Sequence, residues 1–401
     1  MNAVDADSSV DRNPGKYYFS LVRGGPFCRF REAIGLVPMG RLGLARRIAA
    51  LVLVAWAPMV AGALVAGQVF GGRVADPLLR HFAVHVRLLV AVPLLIVAEA
   101  AMERKIPTLI RYFVTSGLVD DATAPRFQTA LDSAARLRDS VLGTLFVLTV
   151  MGAVVASATT LSIHSDELSW AMANEAAGSL GFGGVWYILV ARPIFAALLA
   201  IWAWRMVVLW TLVWRVSNLE LRLVANHPDR AGGLGFLEGA TVVYAPIVAA
   251  TSLVLAAIWG HQVLYHGVHV DQIKPIAAVF VCGVVIVFNG PLLVLGRTLG
   301  AYRRRQRMAY GALLSRHGRL VHRKWIENEE VGACAILDSP ELGPVADINS
   351  MYEAVARMRL APIGKRSVLP IALAAALPLI PVFAIEVPIK ELLQSLAGAL
   401  L

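Results

Sequence analysis

Seven apolar stretches, each long enough to cross a bilayer, constrain the fold of this chain more than any other feature of its sequence. A membrane-spanning helix needs about 20 predominantly apolar residues. The second stretch is the shortest and contains Glu99. The stretches lie at roughly 48–70, 88–102 (alternatively from nearer 82), 141–163, 184–210, 240–260, 275–296 and 367–388. We therefore predict an all-α polytopic integral membrane protein with about seven transmembrane helices and a small cytoplasmic helical segment.

The composition excludes a soluble fold. The chain is 58% apolar and only 16% charged, whereas soluble proteins average about 45–50% and about 25%. Its three cysteines are widely separated and form no CxxC pair, so neither a disulfide framework nor a thiolate metal site is expected. The first apolar stretch begins far from Met1, which favours a retained span over a cleaved signal peptide.

The basic residues predict the orientation of the spans. With the N-terminus in the cytoplasm, the cytoplasmic segments hold 30 of the 37 Lys and Arg residues, and the opposite segments hold five. Basic loops resist translocation, so this bias is typical of membrane proteins. The net charge of +10 therefore reflects topology, and we expect no nucleic-acid partner. The expected partners are the lipid bilayer and, near the basic segments, anionic lipid.

Four regions follow from these patterns. Segment 104–139 has helix-like spacing interrupted by Pro107, Gly117 and Pro125, which is typical of amphipathic helices near the headgroups. The fourth helix is expected to continue to residue 224. No internal repeat is convincing, which disfavours secondary transporters because many contain repeats. The regions are 1–47 (cytoplasmic, basic), 48–296 (six spans), 297–366 (cytoplasmic, basic, helical) and 367–401 (a Pro-rich seventh span and an interfacial helix).

Ionisable and polar residues inside the apolar stretches are the first site candidates. A charge buried in a membrane is costly unless it meets a partner or water. Depth along the spans predicts a pairing of Glu99 with Arg205 and of Arg192 with Glu386. Such residues either form structural ion pairs or line a permeation path, and the sequence leaves both alternatives open. The candidates are Glu99, Arg192, Arg205, Asn289 and Glu386.

The string NHPDRAGGLGFLEG at residues 226–239 is the most distinctive motif. We predict that Asp229 accepts backbone N–H bonds and that the glycines adopt conformations closed to other residues. Successive free N–H groups in such a loop can also hold an anion. The loop is therefore either a rigid turn that locks two helices together or a ligand-binding loop. Its candidate residues are His227, Asp229, Arg230, Gly232 and Gly233.

Histidines gather in the segments assigned to the outer face. Imidazole and carboxylate ligands suit zinc or another divalent ion, and clustered histidines sense acid near their pKa of about 6.5. Neither HExxH nor another zinc-enzyme spacing occurs, so ordinary loop histidines are the third alternative. We predict no cofactor, apart from the alternative of a divalent metal on the outer face. The candidates are His81, His85, His164, Asp166, His261, His266, His269 and Asp271.

Two stretches resemble a group of uncharacterised bacterial multi-span proteins. They are the loop HPDRAGGLGFLEG and the closing pattern MRLAP at 358–362, followed by LPLIP and EVPIKELL. These motifs cover a small part of the chain, and the spacing of the spans between them is similar. The resemblance implies a bacterial inner-membrane protein, and it supplies no activity and no catalytic residue. The predicted C-terminus is then periplasmic or extracellular.

Two functions from different classes fit these features. The preferred function is a channel or transporter for a small ion or solute, because of the intramembrane charges and the Pro-rich last span. The alternative is a membrane sensor or scaffold that couples the outer histidines to a cytoplasmic partner or anionic lipid. An enzyme is disfavoured, since His227 with Asp229 is the only compact catalytic candidate. The small residues Gly152 and Ala156 favour a homo-oligomer.

Overall fold

A computed structural model describes residues 17–25, 28–29, 41–70, 77–161, 166–174, 179–329 and 343–385. Within these ranges, seven helices are long and apolar enough to cross a membrane. The predicted fold class is therefore confirmed, and the chain is a polytopic α-helical membrane protein. A short antiparallel ribbon, Met172–Asn174 with Ser179–Leu180, lies between the third and fourth spans.

Nine helices of the described residues are numbered here in chain order. They are α1 (Arg41–Val65), α2 (Phe82–Thr115), α3 (Ala124–Arg138), α4 (Val141–Leu161), α5 (Phe182–Ser217), α6 (Ala245–His266), α7 (Val270–Trp325), α8 (Gly343–Ala356) and α9 (Lys365–Phe383). We call the end of the bundle that carries residues 116–123 and 218–234 the basic end, and the other the opposite end.

Two helix boundaries differ from the prediction. The second span was expected at 88–102, with a start nearer 82 as the alternative; α2 begins at Phe82 and continues through Pro107 to Thr115. Glu99 and Glu103 of this part of the helix are bonded to other segments of the bundle, whereas Arg104, Lys105 and Arg111 are exposed. The fourth helix was expected to reach residue 224, but α5 ends at Ser217. There the Asn218 side chain donates to the Trp214 carbonyl at 2.8 Å, and the chain leaves the helix.

The amphipathic segment also differs from its prediction. The first part of segment 104–139 is the end of α2. Gly117 follows that helix with a φ of 73°, a backbone conformation that other residues rarely adopt. The second part is α3, which packs against α5. The apolar face of α3 is buried in the bundle through Phe127, Leu131 and Ala134. Protein therefore covers the face that was expected near the headgroups.

The hairpins α1–α2 and α4–α5 form an internal repeat with an offset of 100 residues. FAVHVRLLVAVP begins α2 and FGGVWYILVARP begins α5. Both helices contain a π-helical turn at the same place, Arg87–Ala91 in one and Tyr187–Ala191 in the other. The same positions are buried in both helices. In α2 they are Leu88, Ala91, Leu95, Ala98 and Met102, and in α5 they are Ile188, Ala191, Phe195, Leu198 and Trp202. The sequence alone did not reveal this repeat because only five of the 12 residue pairs in the two aligned strings, FAVHVRLLVAVP and FGGVWYILVARP, are identical.

Two equivalent residues of the repeat touch each other. The buried Arg87 guanidinium donates a hydrogen bond to the Tyr187 hydroxyl. The contact joins α2 and α5 at the π-helical turn of each helix.

The remaining helices pack around these hairpins. Helices α6 and α9 contact each other, and α9 also contacts α7. Helix α7 has 56 residues, so it is about 84 Å long at 1.5 Å per residue. This length greatly exceeds the hydrocarbon thickness of about 30 Å. The sixth span therefore continues without a break into the region 297–366, where α8 packs along it.

Candidate functional site

Three charged side chains from three helices meet in the bundle interior and form what we call the buried charge cluster. Glu99 of α2 lies between Arg47 of α1 and Arg205 of α5. One carboxylate oxygen of Glu99 is 2.7 Å from Arg205 Nη1, and the other contacts Arg47 Nη2. The exposed fractions of these side chains are only 4% for Glu99, 7% for Arg205 and 13% for Arg47. The predicted pairing of Glu99 with Arg205 is therefore present, and Arg47 joins it.

An aromatic side chain completes the surroundings of Arg205. The Arg205 guanidinium lies 4.9 Å from the centre of the Trp202 ring, which is within cation–π range. The Trp202 indole N–H in turn donates to the Leu95 carbonyl at 3.2 Å. The two hairpins of the repeat are thus joined at this depth by both a charged and a neutral contact.

The N-terminal segment 17–25 covers the basic end of the cluster. Glu103 lies one helical turn after Glu99 on α2, and it accepts a hydrogen bond from Tyr18 at 3.1 Å and another from Ser20. Arg23 Nε lies 2.6 Å from the same carboxylate. Burial first, and then the charge of Glu103, raise the pKa of the Tyr18 hydroxyl above its ordinary value. Tyr18 therefore stays a neutral donor that holds the segment in place.

A small cavity connects this segment to the buried charge cluster. Its lining includes two guanidinium groups and the Trp204 side chain, whose indole N–H is buried and finds no acceptor among the described residues. Such a donor is costly to leave without a partner. The lining consists of Leu21, Val22, Gly24, Gly25, Cys28, Arg138, Ile201, Trp204 and Arg205. The Arg138 guanidinium is bonded to Asp139 and to the Ser20 carbonyl, and that of Arg205 is bonded to Glu99.

A dry layer separates the cluster from the opposite end. On α2, Arg87 and Glu99 are 12 positions apart in sequence, which is about 18 Å along a helix. Between them, six apolar side chains have no exposed surface at all: Leu88, Ala91, Val92, Leu95, Ile96 and Ala98. Along α2, therefore, the described structure has no continuous polar path from one end of the bundle to the other.

The loop at 226–239 is built around Asp229. Its carboxylate accepts the backbone N–H groups of Ala231 at 2.7 Å, Gly233 at 3.2 Å and Gly235 at 2.7 Å. The prediction that Asp229 accepts backbone bonds is confirmed. Since its carboxylate occupies these three N–H groups, they are not available to hold an external anion.

The glycines of this loop have the backbone conformations that the motif predicts. Gly232 and Gly233 have φ angles of 67° and 94°, and even Arg230 has a φ of 56°. A Cβ on Gly235 would lie 2.7 Å from the Asp229 Cβ, so only glycine fits there. The loop also binds the chain before α9, because the Arg359 N–H donates to the Arg230 carbonyl at 2.7 Å.

Replacing Asp229 with asparagine is expected to lower the free energy of unfolding by about 1–3 kcal/mol at neutral pH, because an amide cannot accept all three N–H groups. Burial alone would raise the pKa of Asp229, but the three backbone bonds and His227 hold it below its ordinary value. The contribution of the carboxylate is therefore fully present above its unfolded pKa of about 3.9. It is lost as the pH falls through the lower, folded pKa.

Thermal unfolding of the two proteins in detergent at several pH values tests this prediction. The stability difference between wild type and Asp229→Asn should shrink as the pH falls below about 4. The exposed Asp121 provides the control, and Asp121→Asn should match wild type throughout. A difference for Asp229→Asn that is the same at pH 7 and in acid would contradict the proposed hydrogen bonding.

Around this loop, charged side chains line an open depression that we call the basic basin. It contains four cations and two carboxylates, and Glu238 is paired with Arg359. The basin is lined by Pro228, Asp229, Arg230, Gly235, Phe236, Glu238, Arg359, Lys365 and Arg366. The loop candidate Arg230 is exposed in this basin, whereas His227 lies 2.8 Å from Asp229 Oδ1.

The histidines lie at the opposite end, and only some of them meet. The rings of His81 and His261 stack with their centres 4.9 Å apart, and His266 lies 5.2 Å from His261. His85 lies elsewhere, between the Trp56 indole at 3.1 Å and the Leu78 carbonyl at 3.1 Å. Although His81 and His85 are four positions apart, they do not share a site, because α2 begins only at Phe82.

The remaining candidates that the structure describes do not join the buried charge cluster. Asn289 of α7 is buried, and its amide donates to the Val285 carbonyl at 2.9 Å. Exposed Asp271 pairs with Lys274 at 2.7 Å, and His269 is also exposed. In the part of the chain that is described, no group of three His, Cys, Asp or Glu side chains has the geometry to hold a metal ion. Half-buried Arg192 lies on α5, but Glu386, His164 and the side chain of Asp166 lie outside the described residues.

Comparisons with known proteins supply no further assignment. No protein-family model, no curated protein and no solved structure matches this chain. The class of protein that the fold defines, a polytopic α-helical membrane protein, is therefore stated from the structure itself.

Sequence reasoning missed three residues of these sites. Arg47 was assigned to the basic N-terminal region and Arg87 to an outer loop, yet both lie inside helices and are bonded within the bundle. Glu103 was assigned to the cytoplasmic region although it continues the face of Glu99. A helical projection of α2 would have grouped Glu99 with Glu103, since they are four positions apart.

Proposed function

We propose that this protein is a carrier for a small solute and that the solute is an anion. The observation that carries the proposal is the cavity beside the buried charge cluster, which is lined by Arg138, Arg205 and Trp204. Arg47 and Arg205 both contact the carboxylate of Glu99, so two buried guanidinium groups lie at or next to this cavity. Buried basic side chains attract a negatively charged ligand.

Two features of the fold favour a carrier over an open channel. The dry layer on α2 closes the route between the cluster and the opposite end, as expected for a protein that opens to one side at a time. The hairpin repeat provides two related units that can move against each other, and parallel repeats of this kind occur in transporters. The π-helical turns lie at the interface of these units, and π turns are frequent at functional sites.

Flux measurements in liposomes test the carrier. We expect uptake of at least one of chloride, phosphate or acetate above the level of protein-free liposomes. Glu99→Ala and Arg205→Ala should reduce this flux at least tenfold, because each change alters the charge that the solute meets. Trp204→Phe removes one donor without changing charge, so it should reduce the flux several-fold while the protein stays folded.

A matched control lies on the same helix. Arg215 is ten residues after Arg205 and exposed, so Arg215→Ala should leave the flux unchanged. If wild type moves none of the tested anions, or if Arg205→Ala and Arg215→Ala behave alike, the carrier proposal is wrong.

The second candidate is a membrane sensor or scaffold, which one observation favours. The ring stack of His81 and His261 joins the start of α2 to α6 at the opposite end. The long helix α7 reaches well past the bundle and offers a surface to a partner. A reproducible crosslink between a partner and residues 300–325, together with an absence of flux, would favour this function.

A further inference from the structure

Two surfaces that the carrier site does not use meet along residues 235–244. One is the basic basin. The other is a narrow crevice between α2, α5 and α7, with an almost entirely apolar lining, which we call the apolar crevice. Its lining includes Ile110, Phe113, Leu212, Val216, Tyr244 and Leu295. The crevice therefore lies in the part of the bundle that faces the basic end.

The segment 235–244 supplies one wall to each surface. Phe236 and Glu238 line the basin, whereas Leu237 and Ala240 line the crevice. The Phe236 ring packs edge-on against Phe113, with ring centres 5.1 Å apart. An aromatic residue of the basin therefore contacts an aromatic residue of the crevice.

Tyr244 contributes a polar group, its hydroxyl, to the lining of the crevice. Its side chain is only 2% exposed, and its hydroxyl has no hydrogen-bond partner among the described residues. A buried hydroxyl without a partner is costly in free energy. An occupant of the crevice that carries an acceptor at this depth would remove that cost.

The basin contains basic side chains that are not paired with its two carboxylates. Asp229 is occupied by three backbone N–H groups, and Glu238 is paired with Arg359. Arg230, Lys365 and Arg366 are exposed, and none of the three forms an ion pair with a described residue. Basic pockets beside transmembrane helices attract phosphate-bearing lipid headgroups.

We propose that the basin and the crevice together bind one anionic phospholipid. Its phosphate lies in the basin, an acyl chain fills the crevice, and an ester carbonyl accepts the hydrogen bond of Tyr244. Glu238 and Tyr244 are six residues apart, which is about 9 Å along a helix. The headgroup layer on each side of a bilayer is about 5–7 Å thick, which is of the same order as this separation. A free phosphate ion would use the basin but not the crevice.

Native mass spectrometry of the purified full chain tests this proposal. Phosphatidylglycerol or phosphatidylcholine is added, and bound lipid is counted. We expect phosphatidylglycerol to bind more tightly than the zwitterionic lipid. The double change Lys365→Gln with Arg366→Gln should weaken its binding roughly 30-fold, since each basic residue contributes about fivefold. The control Arg305→Gln with Arg307→Gln makes the same charge change on exposed positions of α7 and should have no effect.

Two further variants test the apolar half of the site. Ala240→Phe fills the crevice and should reduce binding at least tenfold, whereas Ala49→Phe on the exposed side of α1 should not. Tyr244→Phe removes only the hydroxyl and should reduce binding about fivefold. If Ala240→Phe leaves binding unchanged while inorganic phosphate competes, the basin binds free phosphate and the lipid assignment is wrong. Equal binding by all variants would also overturn it. The readout is independent of flux.

Discussion

Glu99→Ala is expected to lower the free energy of unfolding by about 3–5 kcal/mol, because it leaves two buried guanidinium groups without their carboxylate. Arg47 and Arg205 approach opposite oxygens of Glu99, and both side chains are largely buried. Thermal or denaturant unfolding in detergent should therefore show a large loss of stability for this single change.

Replacing all three residues of the cluster should change the free energy of unfolding much less than Glu99→Ala does. The triple variant Arg47→Met, Glu99→Leu, Arg205→Met removes every charge at once, and apolar replacements of buried ion pairs are often neutral or stabilising. We expect this variant to unfold close to wild type while it transports no anion. That result would separate the structural contribution of the cluster from its proposed function. A Glu99→Ala protein as stable as wild type would refute the burial of the cluster.

Gly183→Val is expected to lower the free energy of unfolding by about 1–3 kcal/mol through overpacking. A Cβ at Gly183 would lie 2.8 Å from the Met59 carbonyl oxygen and 3.2 Å from the Ala63 nitrogen. The backbones of α1 and α5 are thus in close contact, as small residues allow in membrane helices. A valine would force the two helices apart and loosen the packing between the two hairpins.

The control for this substitution is Gly283→Val on α7, where an added Cβ meets nothing within 4 Å. Both changes place a β-branched residue in a membrane helix, so their difference isolates the steric effect. Thermal unfolding in the same detergent compares the two variants directly. Equal melting temperatures for both would mean that α1 and α5 are not closely packed at Gly183.

The features that the sequence predicted correctly are those that depend on local physics. Seven apolar stretches require seven spans, because each must be removed from water. Glu99 and Arg205 were paired because buried opposite charges at one depth stabilise each other. Asp229 was expected to bind backbone N–H groups because short carboxylate side chains commonly do so in loops rich in glycine.

The features that the sequence did not reveal depend on contacts between distant segments. Hydropathy ends a span at its first charge, so Arg47 and Arg87 were assigned outside the helices that contain them. The bonds of Glu103 to the segment 17–25 join residues more than 80 positions apart. The stacking of His81 on His261 likewise needs the packing of α2 against α6. The pairing of Arg192 with Glu386 remains a prediction.

The contact between Arg87 and Tyr187 has a consequence for assembly. An arginine in the first hairpin meets a tyrosine in the second at equivalent positions of the repeat. The same contact between two copies of the first hairpin would bring cation against cation, and between two copies of the second it would bring phenol against phenol. The observed hydrogen bond therefore requires one hairpin of each kind.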